Sequence, residues 1–368
     1  MPETKEWYKI EDADKIDTPT LVVYPERIKG NIERMIAIAG NADRLYPHVK
    51  THKMEAVVKI QITQGITKFK CATIAEAEML AQAEASDVLL AYPLIRPKIQ
   101  RFNQLIEKYS KTRFSALIDS IDGAKQIAEK SMKKQHLIQV WIDINVGMHR
   151  TGINIENLTT FYEDVSNLKG LEIVGLHVYD GHISDSDKNT RFEKAKAVFE
   201  PVIHLKHQLE KVKNTTLKIV AGGTGTFPFY ATYNDVWFSP GTCLLWDEGY
   251  RKKFPDLKFD FGALLLARVI SKPQKDTICI DLGYKAVAAE NPLPRVSFLN
   301  LSDATVLFQS EEHMVLSTKE NLDIGTLLYA VPIHICPSCA LYDDAFVIEN
   351  HHLSGKWAIT ARKRSINI

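Results

Sequence analysis

The sequence has few cysteines, no long apolar segment and no excess of charge of either sign. Its five cysteines are an odd and sparse set for 368 residues, which argues against a disulfide scaffold and predicts a cytoplasmic protein. No apolar run approaches the ~18–20 residues of a membrane span, and the charged segment Met1–Glu6 is unlike a signal peptide. The net charge of +1 gives no sign of binding to nucleic acid or to an anionic membrane.

The length of the chain and the order of its predicted elements indicate two domains. Up to about Tyr250, strand-like segments alternate with helical segments about eight times, which predicts a parallel α/β fold. Eight units favour a closed (β/α)8 TIM-type barrel over an open doubly wound sheet. After Tyr250, short strands follow one another across turns. We therefore predict a barrel over residues 17–250 and an all-β domain formed by residues 1–16 and 251–368.

The first predicted barrel strand is Thr18–Tyr24, the second contains Tyr46–Lys53, and the last is Leu217–Ala221. Barrels of this type place their chemistry at the C-terminal ends of the strands. Polar residues that follow a predicted strand are therefore the candidates for function.

The segment Tyr46–Lys53 holds two lysines and two histidines. In an extended chain, His48, Lys50 and His52 share one face and Lys53 points the other way. A lysine on the inner face of a strand that ends in a cleft is desolvated, which lowers its pKa and makes its amine reactive. The alternative is a basic strand end followed by a solvated loop, because most lysines are exposed.

Two further predicted strands end in polar side chains. Arg150 lies between Gly147 and Gly152 after the strand Leu137–Ile144, where its guanidinium could clamp a carboxylate or another anionic oxygen. The next strand ends in a run in which Tyr179 shares a face with His177 and precedes His182. Each of these residues alone could be structural, and their places at strand ends favour a site.

A glycine- and threonine-rich turn follows the last predicted barrel strand. Such a turn exposes backbone N–H groups and hydroxyls, which suits a phosphate, and a second candidate turn is Ser239–Thr242. The first turn lacks the lysine of a P-loop and is not a dinucleotide fingerprint, so it could also be only a tight loop. The candidate phosphate-binding residues are Gly223, Thr224, Gly225, Thr226, Gly241 and Thr242.

The predicted β domain carries His334, Cys336 and Cys339 in close succession. On a strand, His334 and Cys336 face the same way and could share a soft divalent metal such as zinc. A structural zinc half-site, a redox pair and two buried cysteines near a histidine are the alternatives. No second Cys-x-x-Cys completes a four-ligand structural site, and a site with open positions is typical of catalysis.

Together these motifs resemble the metal-activated D-threonine aldolase and eukaryotic-type D-serine dehydratase family. That family consists of fold-type III pyridoxal phosphate enzymes with an alanine racemase-like barrel and a β domain. The resemblance covers about residues 17–362, and its most specific parts are the lysine motif and the late His-x-Cys. The motifs are Pro47–Lys53, Asn145–Gly152, Tyr179–His182, Gly222–Thr226 and His334–Cys336.

The resemblance implies a role for each candidate residue. Lys50 would form the Schiff base with pyridoxal phosphate, Arg150 would approach the phenolic oxygen of the cofactor, and Tyr179 would lie beside its ring. The glycines and threonines named above would hold the phosphate. His334 and Cys336 would bind zinc or manganese. His52 or His182 would be the acid–base helper. The family works as a homodimer, with each site completed by the partner's β domain.

One departure from alanine racemases bears on the reaction. Those enzymes place an arginine before the second phosphate loop, against the pyridine nitrogen, and Ser239 stands there in this sequence. A match to their second catalytic tyrosine is also missing. Racemisation is therefore less favoured than a lyase reaction. A non-catalytic cofactor-binding protein is also less favoured, because such proteins usually end after the barrel and this chain adds a β domain with a metal motif.

The predicted substrate is a small D-3-hydroxy amino acid. We predict an aldolase of the D-threonine type, which cleaves the substrate to glycine and an aldehyde. The alternative is a D-serine dehydratase, which releases pyruvate and ammonia. By the resemblance, a His-x-Cys metal motif favours the dehydratase, whereas the short chain favours the aldolase.

Overall fold

The structure is a computed structural model that describes residues 6–368. The chain divides into two compact units, which we call the barrel unit and the β unit. The barrel unit contains Glu33–Lys50, Val58–Gly241 and Lys363–Ile368. The β unit contains the described residues up to Ile32, together with Thr51–Val57 and Thr242–Arg362. The first five residues of the predicted β-domain segment 1–16 lie outside the described residues.

The strands of the barrel unit are short and mostly buried. They are β2 (Lys68–Cys71), β3 (Asp87–Pro93), β4 (Arg113–Ile118), β5 (Ile138–Asn145), β6 (Ile153–Asn154), β7 (Leu171–Val178), β8 (Lys218–Ala221) and β9 (Val236–Phe238). The strands of the β unit are β1 (Thr20–Val23), β10 (Ala263–Gln274), β11 (Thr277–Ile280), β12 (Val296–Phe298), β13 (Thr305–Gln309), β14 (Met314–Ser317), β15 (Leu327–Pro332), β16 (Asp344–Glu349) and β17 (His352–Ala358).

Most of the helices follow a barrel strand. The helices are α1 (Pro25–Ala39), α2 (Glu55–Thr63), α3 (Ile74–Gln82), α4 (Pro97–Lys108), α5 (Ile121–Lys134), α6 (Leu158–Ser166), α7 (Lys188–Lys213), α8 (Phe227–Tyr230), α9 (Glu248–Lys253) and α10 (Ile335–Cys339). Within residues 6–368, no helix combines the length and the apolar character that crossing a membrane requires.

The strands of the barrel unit form a parallel sheet that closes on itself. Seven strands pair in the order β2-β3-β4-β5-β7-β8-β9, and β6 adds to β5. Leu45 pairs with Phe238 of β9, and His48 pairs with Lys70 of β2. The segment between Leu45 and His48 therefore serves as an eighth strand that joins the two outer strands. The predicted (β/α)8 barrel is confirmed.

One of the eight predicted barrel strands is wrong, and one strand of the barrel was not predicted. Thr18–Tyr24 contains β1, which pairs with β10 and β16 in the β unit and is absent from the parallel sheet. The strand β9 takes the remaining place in the barrel, after the strand that was predicted to close it. A short, fully buried apolar segment such as β1 has the same pattern in either sheet, and the three residues of β9 are too few for a strand signal.

Large side chains from five strands fill the barrel. They are Tyr46, Leu89, Leu117, Trp141 and Val220. Gly175 on β7 makes room for them, since a Cβ there would lie 2.6 Å from Cζ3 of Trp141 and 2.3 Å from the Lys218 carbonyl oxygen. The barrel is therefore a packed core, and its chemistry is confined to the strand ends.

The β unit is built on a nine-stranded sheet that is mostly antiparallel. Its main path is β13-β14-β11-β10-β1-β16-β17, with β15 pairing with β10 and β12 pairing with β15. The exception is β1, which runs parallel to β16. Buried apolar side chains cover this sheet, namely Tyr8, Ile10, Ile16, Val22, Tyr24, Leu264, Leu266, Tyr329, Val331 and Ile348. An all-β region after the barrel sequence was predicted, whereas β12 and β17 were not.

Candidate functional site

Lys50 follows the barrel segment that ends at His48. The backbone N–H of Val49 donates to the Lys70 carbonyl oxygen at 3.0 Å, and the Lys50 N–H donates to Nδ1 of His48 at 3.2 Å. Residues 49–52 then form a turn. The prediction that His48, Lys50 and His52 share one face of an extended strand is therefore wrong. Lys50 remains half-buried at a strand end, as expected.

Three cationic side chains surround the ring of Tyr179. Lys50 Nζ lies 5.7 Å from the ring centroid, Lys70 Nζ lies 5.3 Å from it, and the Arg150 guanidinium carbon lies 5.2 Å from it. Cations at this range are attracted to the face of an aromatic ring. Lys50, Arg150 and Tyr179 were predicted to share a site, and the fold brings them together with a third cation. So much positive charge suits an anionic ligand.

Lys70 was not predicted from the sequence, and it is among the most buried cations in the barrel unit. Its Nζ donates to Oγ of Ser239 at 2.6 Å and lies 3.1 Å from Nε2 of His177. Nδ1 of His177 lies 2.7 Å from Oδ1 of Asp143, so Nδ1 carries the proton and Nε2 accepts from Lys70. Burial, and next the charge of Lys50, lower the pKa of Lys70 to about 7.

Asp143 connects this network to the loop of Arg150. Its Oδ2 accepts a hydrogen bond from Oγ1 of Thr151 at 2.8 Å. Burial raises the pKa of Asp143, but His177 and Thr151 lower it by more. The net pKa lies below the usual value, so the carboxyl stays ionised. Thr151 is the neighbour of Arg150, and Asp143 therefore restrains the backbone that carries the guanidinium.

The position of His182 depends on a glycine in the Arg150 loop. Gly147 has a φ of +113°, and a Cβ there would lie 2.9 Å from Nε2 of His182. Only glycine adopts this conformation readily while leaving room for the ring. His182 is exposed beside this loop and is open to solvent.

The glycine-rich turn is fixed by Asp180. Its Oδ1 accepts from Oγ1 of Thr226 and its Oδ2 accepts from the Tyr230 hydroxyl, both at 2.8 Å. Burial raises the pKa of Asp180, and these two hydrogen bonds oppose that rise. Gly222 has a φ of +72°, and a Cβ there would lie 2.7 Å from the Tyr230 ring. Asp180 was not predicted as a site residue, although it lies within the Tyr179–His182 motif.

The turn lies against Tyr179 and the second candidate loop. A Cβ on Gly223 would lie 3.2 Å from Cε2 of Tyr179. The Gly241 N–H donates to Oγ1 of Thr224 at 3.1 Å, so the two predicted phosphate loops are joined. Arg191, which is fully buried, donates to the Gly225 carbonyl oxygen at 2.9 Å.

The β unit holds His334 and Cys336, but not on a strand as predicted. β15 ends at Pro332, His334 caps the N-terminus of α10, and Cys336 lies within that helix. Sγ of Cys336 lies 3.2 Å from Oγ1 of Thr51 and 3.7 Å from Oγ1 of Thr242. Thr242, one of the predicted phosphate-binding residues, lies beside the thiol.

His334 and Cys336 form a hydrogen-bonded pair. Burial lowers the pKa of His334, but the thiol raises it more, and Glu290 adds to this with Oε1 2.5 Å from Nδ1. His334 in turn holds the pKa of Cys336 below its usual value against the effect of burial. The pair therefore favours a thiolate at Cys336. Because Glu290 holds Nδ1 of His334, the two donors that the pair can offer to a metal are Nε2 of His334 and Sγ of Cys336.

A third protein ligand is not found near this pair. Across residues 6–368, no set of three or more His, Cys, Asp or Glu side chains is arranged to hold a metal ion. Cys339 is fully buried, and its burial, reinforced by the charge of Cys336, raises the pKa of its thiol well above the usual value. Its thiol is therefore a weaker acid than that of Cys336.

His52 occupies a closed environment within the β unit. It is fully buried, and its Nδ1 accepts from the Met54 N–H at 3.1 Å. Burial, with a smaller effect of Lys53, lowers the pKa of His52 to about 3. The ring is therefore neutral at ordinary pH, which does not favour proton transfer by His52.

The chain is similar to known enzymes over almost its whole length. The D-threonine aldolase of Arthrobacter sp is 25% identical over 360 residues, covering 95% of this chain and 93% of that protein. The D-serine dehydratase of Dictyostelium discoideum is 22% identical, covering 92% and 95%. The crystal structure of D-threonine aldolase from Filomicrobium marinum has a TM-score of 0.88 at 23% identity, and the match covers 96% of this chain and 97% of that chain.

These relatives are of the two kinds that the sequence motifs implied, aldolases and dehydratases. Residues 262–348 match a serine dehydratase domain. Residues 23–248 match the family described as alanine racemase, N-terminal domain. That match spans more than half of the chain, and the chain belongs to this family.

Proposed function

We propose that this chain is a pyridoxal phosphate- and divalent metal-dependent lyase that cleaves D-3-hydroxy amino acids, of the D-threonine aldolase type. The observation that carries the proposal is the group of three cations around Tyr179, beside a turn rich in glycines and threonines. The relatives support the same reaction class, since those matched over nearly the whole chain are aldolases and dehydratases.

The residues of the barrel unit fit pyridoxal phosphate. The cofactor is anionic and planar, and Lys50, Lys70 and Arg150 supply positive charge at one aromatic ring. A Cβ on Gly223 would be crowded against Tyr179, and its absence lets the turn approach a flat ligand closely. In this proposal Lys50 is the covalent attachment point, and Arg150 and Tyr179 bind the ring. The phosphate is held by residues from the set Gly223, Thr224, Gly225, Thr226, Gly241 and Thr242.

The donor pair of the β unit fits a soft divalent metal. Imidazole and thiolate are typical zinc ligands, whereas manganese prefers oxygen donors, so His334 and Cys336 favour zinc over manganese. Two protein ligands leave positions open for a substrate. The metal would act as a Lewis acid toward the substrate's β-hydroxyl.

Bound pyridoxal phosphate supplies an electron sink for the bond that breaks at Cα. The chain's own residues would bind and orient the substrate and move its protons. Arg150 is suited to hold an anionic oxygen, because its guanidinium donates in a fixed fork. Of the two histidines predicted as acid–base helpers, we favour His182, which is exposed beside Gly147, over the buried and neutral His52.

A D-serine dehydratase is the second candidate. The match of residues 262–348 to a serine dehydratase domain and the cysteine at position 336 favour it. In that reaction the substrate loses its β-hydroxyl as water after the Cα proton is removed. Lys50 would be the group that takes this proton. We also keep the homodimer and the cytoplasmic location as predictions.

Product analysis with D-threonine in the presence of zinc or manganese separates these reactions. Glycine plus acetaldehyde identifies the aldolase, and 2-oxobutanoate plus ammonia identifies the dehydratase. D-serine and D-3-hydroxyaspartate should be assayed alongside. A protein that binds the cofactor but turns over none of these substrates would contradict the proposal. So would inversion at Cα as the main reaction, which gives L-allothreonine from D-threonine and L-serine from D-serine.

A further inference from the structure

Lys70 is a buried cation to which the proposed reaction assigns no step. It lies on β2, 3% exposed, and its Nζ contacts two uncharged acceptors, Oγ of Ser239 and Nε2 of His177. Oγ of Ser239 in turn donates a hydrogen bond to the Gly222 carbonyl oxygen at 2.8 Å. A buried ammonium normally pairs with a carboxylate, because its desolvation is otherwise costly.

The carboxylates near Lys70 are engaged elsewhere. Asp143 accepts from His177 and Thr151, and Asp180 accepts from Thr226 and Tyr230. The titratable and charged groups that face Lys70 are Lys50, Asp143, Arg150, His177, Tyr179 and Asp180. They come from the turn after the first barrel segment, from β5 and its loop, and from the end of β7. Two of them are cations, so the amine has neighbours of its own sign, and its hydrogen-bond partners within residues 6–368 are the uncharged Ser239 and His177.

We propose that Lys70 is a positioning residue that takes up a proton when a phosphate-bearing anion binds beside Tyr179. This inference rests on the proposed function, because the anion is taken to be the pyridoxal-type cofactor. The step is an acid–base one: the neutral amine binds a proton from solvent and becomes an ammonium, with no other bond formed or broken. The anion thus supplies the missing negative charge, and Lys70 becomes its counter-ion.

The direction of the pH dependence follows from the sign of this coupling. In the free protein the amine has a pKa of about 7, lowered first by burial and then by Lys50. A nearby anion favours the ammonium and raises that pKa. Below pH ~7 the ammonium is present in both states and binding takes up no proton. Above pH ~7 binding requires a proton, so affinity falls with rising pH, by at most about tenfold per unit.

Titration calorimetry on the full chain freed of cofactor measures this proton. The probe is pyridoxine 5′-phosphate, which lacks the aldehyde and cannot bond covalently to Lys50. Binding heats in two buffers of different ionisation enthalpy give the number of protons taken up. Lys70→Gln is the test variant, since an amide can still donate to Ser239 but carries no charge. Lys68→Gln is the matched control, a lysine on the same strand whose Nζ donates to the Asp43 carbonyl oxygen.

The difference between wild type and variant isolates Lys70, because ionisation of the probe's own phosphate is common to both. At about pH 8 we expect the wild type and Lys68→Gln to take up about one proton more than Lys70→Gln. At about pH 6 we expect all three proteins to take up the same number of protons. Equal proton uptake by all three proteins at about pH 8 would overturn the inference while leaving cofactor binding intact. Failure of the wild type to bind the probe at any pH would overturn the proposed function, and the inference with it.

A second variant keeps the test decisive where Lys70→Gln folds but does not bind. Lys70→Arg carries a charge at every pH in the range, since a guanidinium does not lose its proton there. Lys70→Arg should bind the probe without the additional proton that the wild type takes up at about pH 8. Wild-type proton uptake by Lys70→Arg would contradict the inference.

Discussion

The barrel unit and the β unit hold chemically opposite clusters. Around Tyr179, two amines and a guanidinium create excess positive charge, which attracts anions. In the β unit, His334 and Cys336 share a proton and present a soft donor pair, which attracts a metal cation. Each cluster fits one of the two cofactors of the proposed lyase. We therefore expect that a substitution in one cluster abolishes the binding of one cofactor while binding of the other is retained.

The two clusters are also held in different ways. The cations of the barrel lie at the ends of paired strands, so the closed sheet itself fixes them. The backbone beside the donor pair is held instead by a buried carboxylate. Asp247 is fully buried and accepts from the backbone N–H of Tyr250 at 2.7 Å and of Ile335 at 3.0 Å, which ties α9 to the start of α10. Burial raises the pKa of Asp247 to about 6.

The largest effect should follow from Lys50→Ala. Without the amine, covalent attachment of the cofactor is lost, and we expect turnover to fall on the order of 10³-fold or more. The visible absorption of the lysine-bound cofactor should disappear, while zinc binding should persist. Absorption spectra and metal analysis of the same sample measure both. Lys68→Ala is the control, and full activity in Lys50→Ala would contradict the assignment of the amine.

Cys336→Ala should have the opposite pattern. We expect metal affinity to fall by more than the ~10–100-fold that loss of an outer-shell partner causes, because a ligand itself is removed. Turnover with added metal should fall with it, while the cofactor spectrum is retained. Equilibrium dialysis with zinc measures the affinity. Cys279→Ala, a buried cysteine on β11 in the same unit, is the control, and unchanged zinc affinity in Cys336→Ala would show that the metal is bound elsewhere.

Glu290→Gln should have the smallest effect of the three. The carboxylate accepts from Nδ1 of His334, which leaves Nε2 to the metal, and its removal should lower zinc affinity by about 10-fold. The expected loss of zinc affinity lies at the low end of the ~10–100-fold range for an outer-shell partner, because the side chains of His334 and Glu290 are both partly exposed. Turnover at saturating zinc should recover to near the wild-type value. A loss that zinc cannot restore would mean that Glu290 acts on the substrate.

The sequence identified the cations that stand in polar motifs and missed the one inside an apolar strand. Lys50 and Arg150 lie after strands among glycines and histidines, where side-chain chemistry is easily noticed. Lys70 lies between Phe69 and Cys71, and such a lysine is ordinarily read as surface-exposed. Its partners His177 and Ser239 come from distant parts of the chain. Only the closure of the sheet that contains β2, β7 and β9 brings them together.

The same limit explains the errors in the fold. Periodicity predicted a barrel of eight strands correctly but cannot say which sheet a buried apolar segment joins, so β1 was assigned to the wrong one. Motif spacing predicted that His334 and Cys336 act together, while the assumption of a strand was wrong. Pro337, directly after Cys336, and the short length of α10 gave no helical pattern to detect.

The pairing of β1 with β10 and β16 has a consequence for biosynthesis. During translation, β1 leaves the ribosome before either partner exists, since both are encoded after the barrel sequence. The parts of the barrel unit up to Gly241, Glu33–Lys50 and Val58–Gly241, can fold first, as domains generally do when they emerge. Until β10 and β16 have been synthesised, β1 is an apolar strand with both edges unpaired, which is a template for aggregation. A nascent chain paused near Gly241 should therefore depend on a holding chaperone at its N-terminal end.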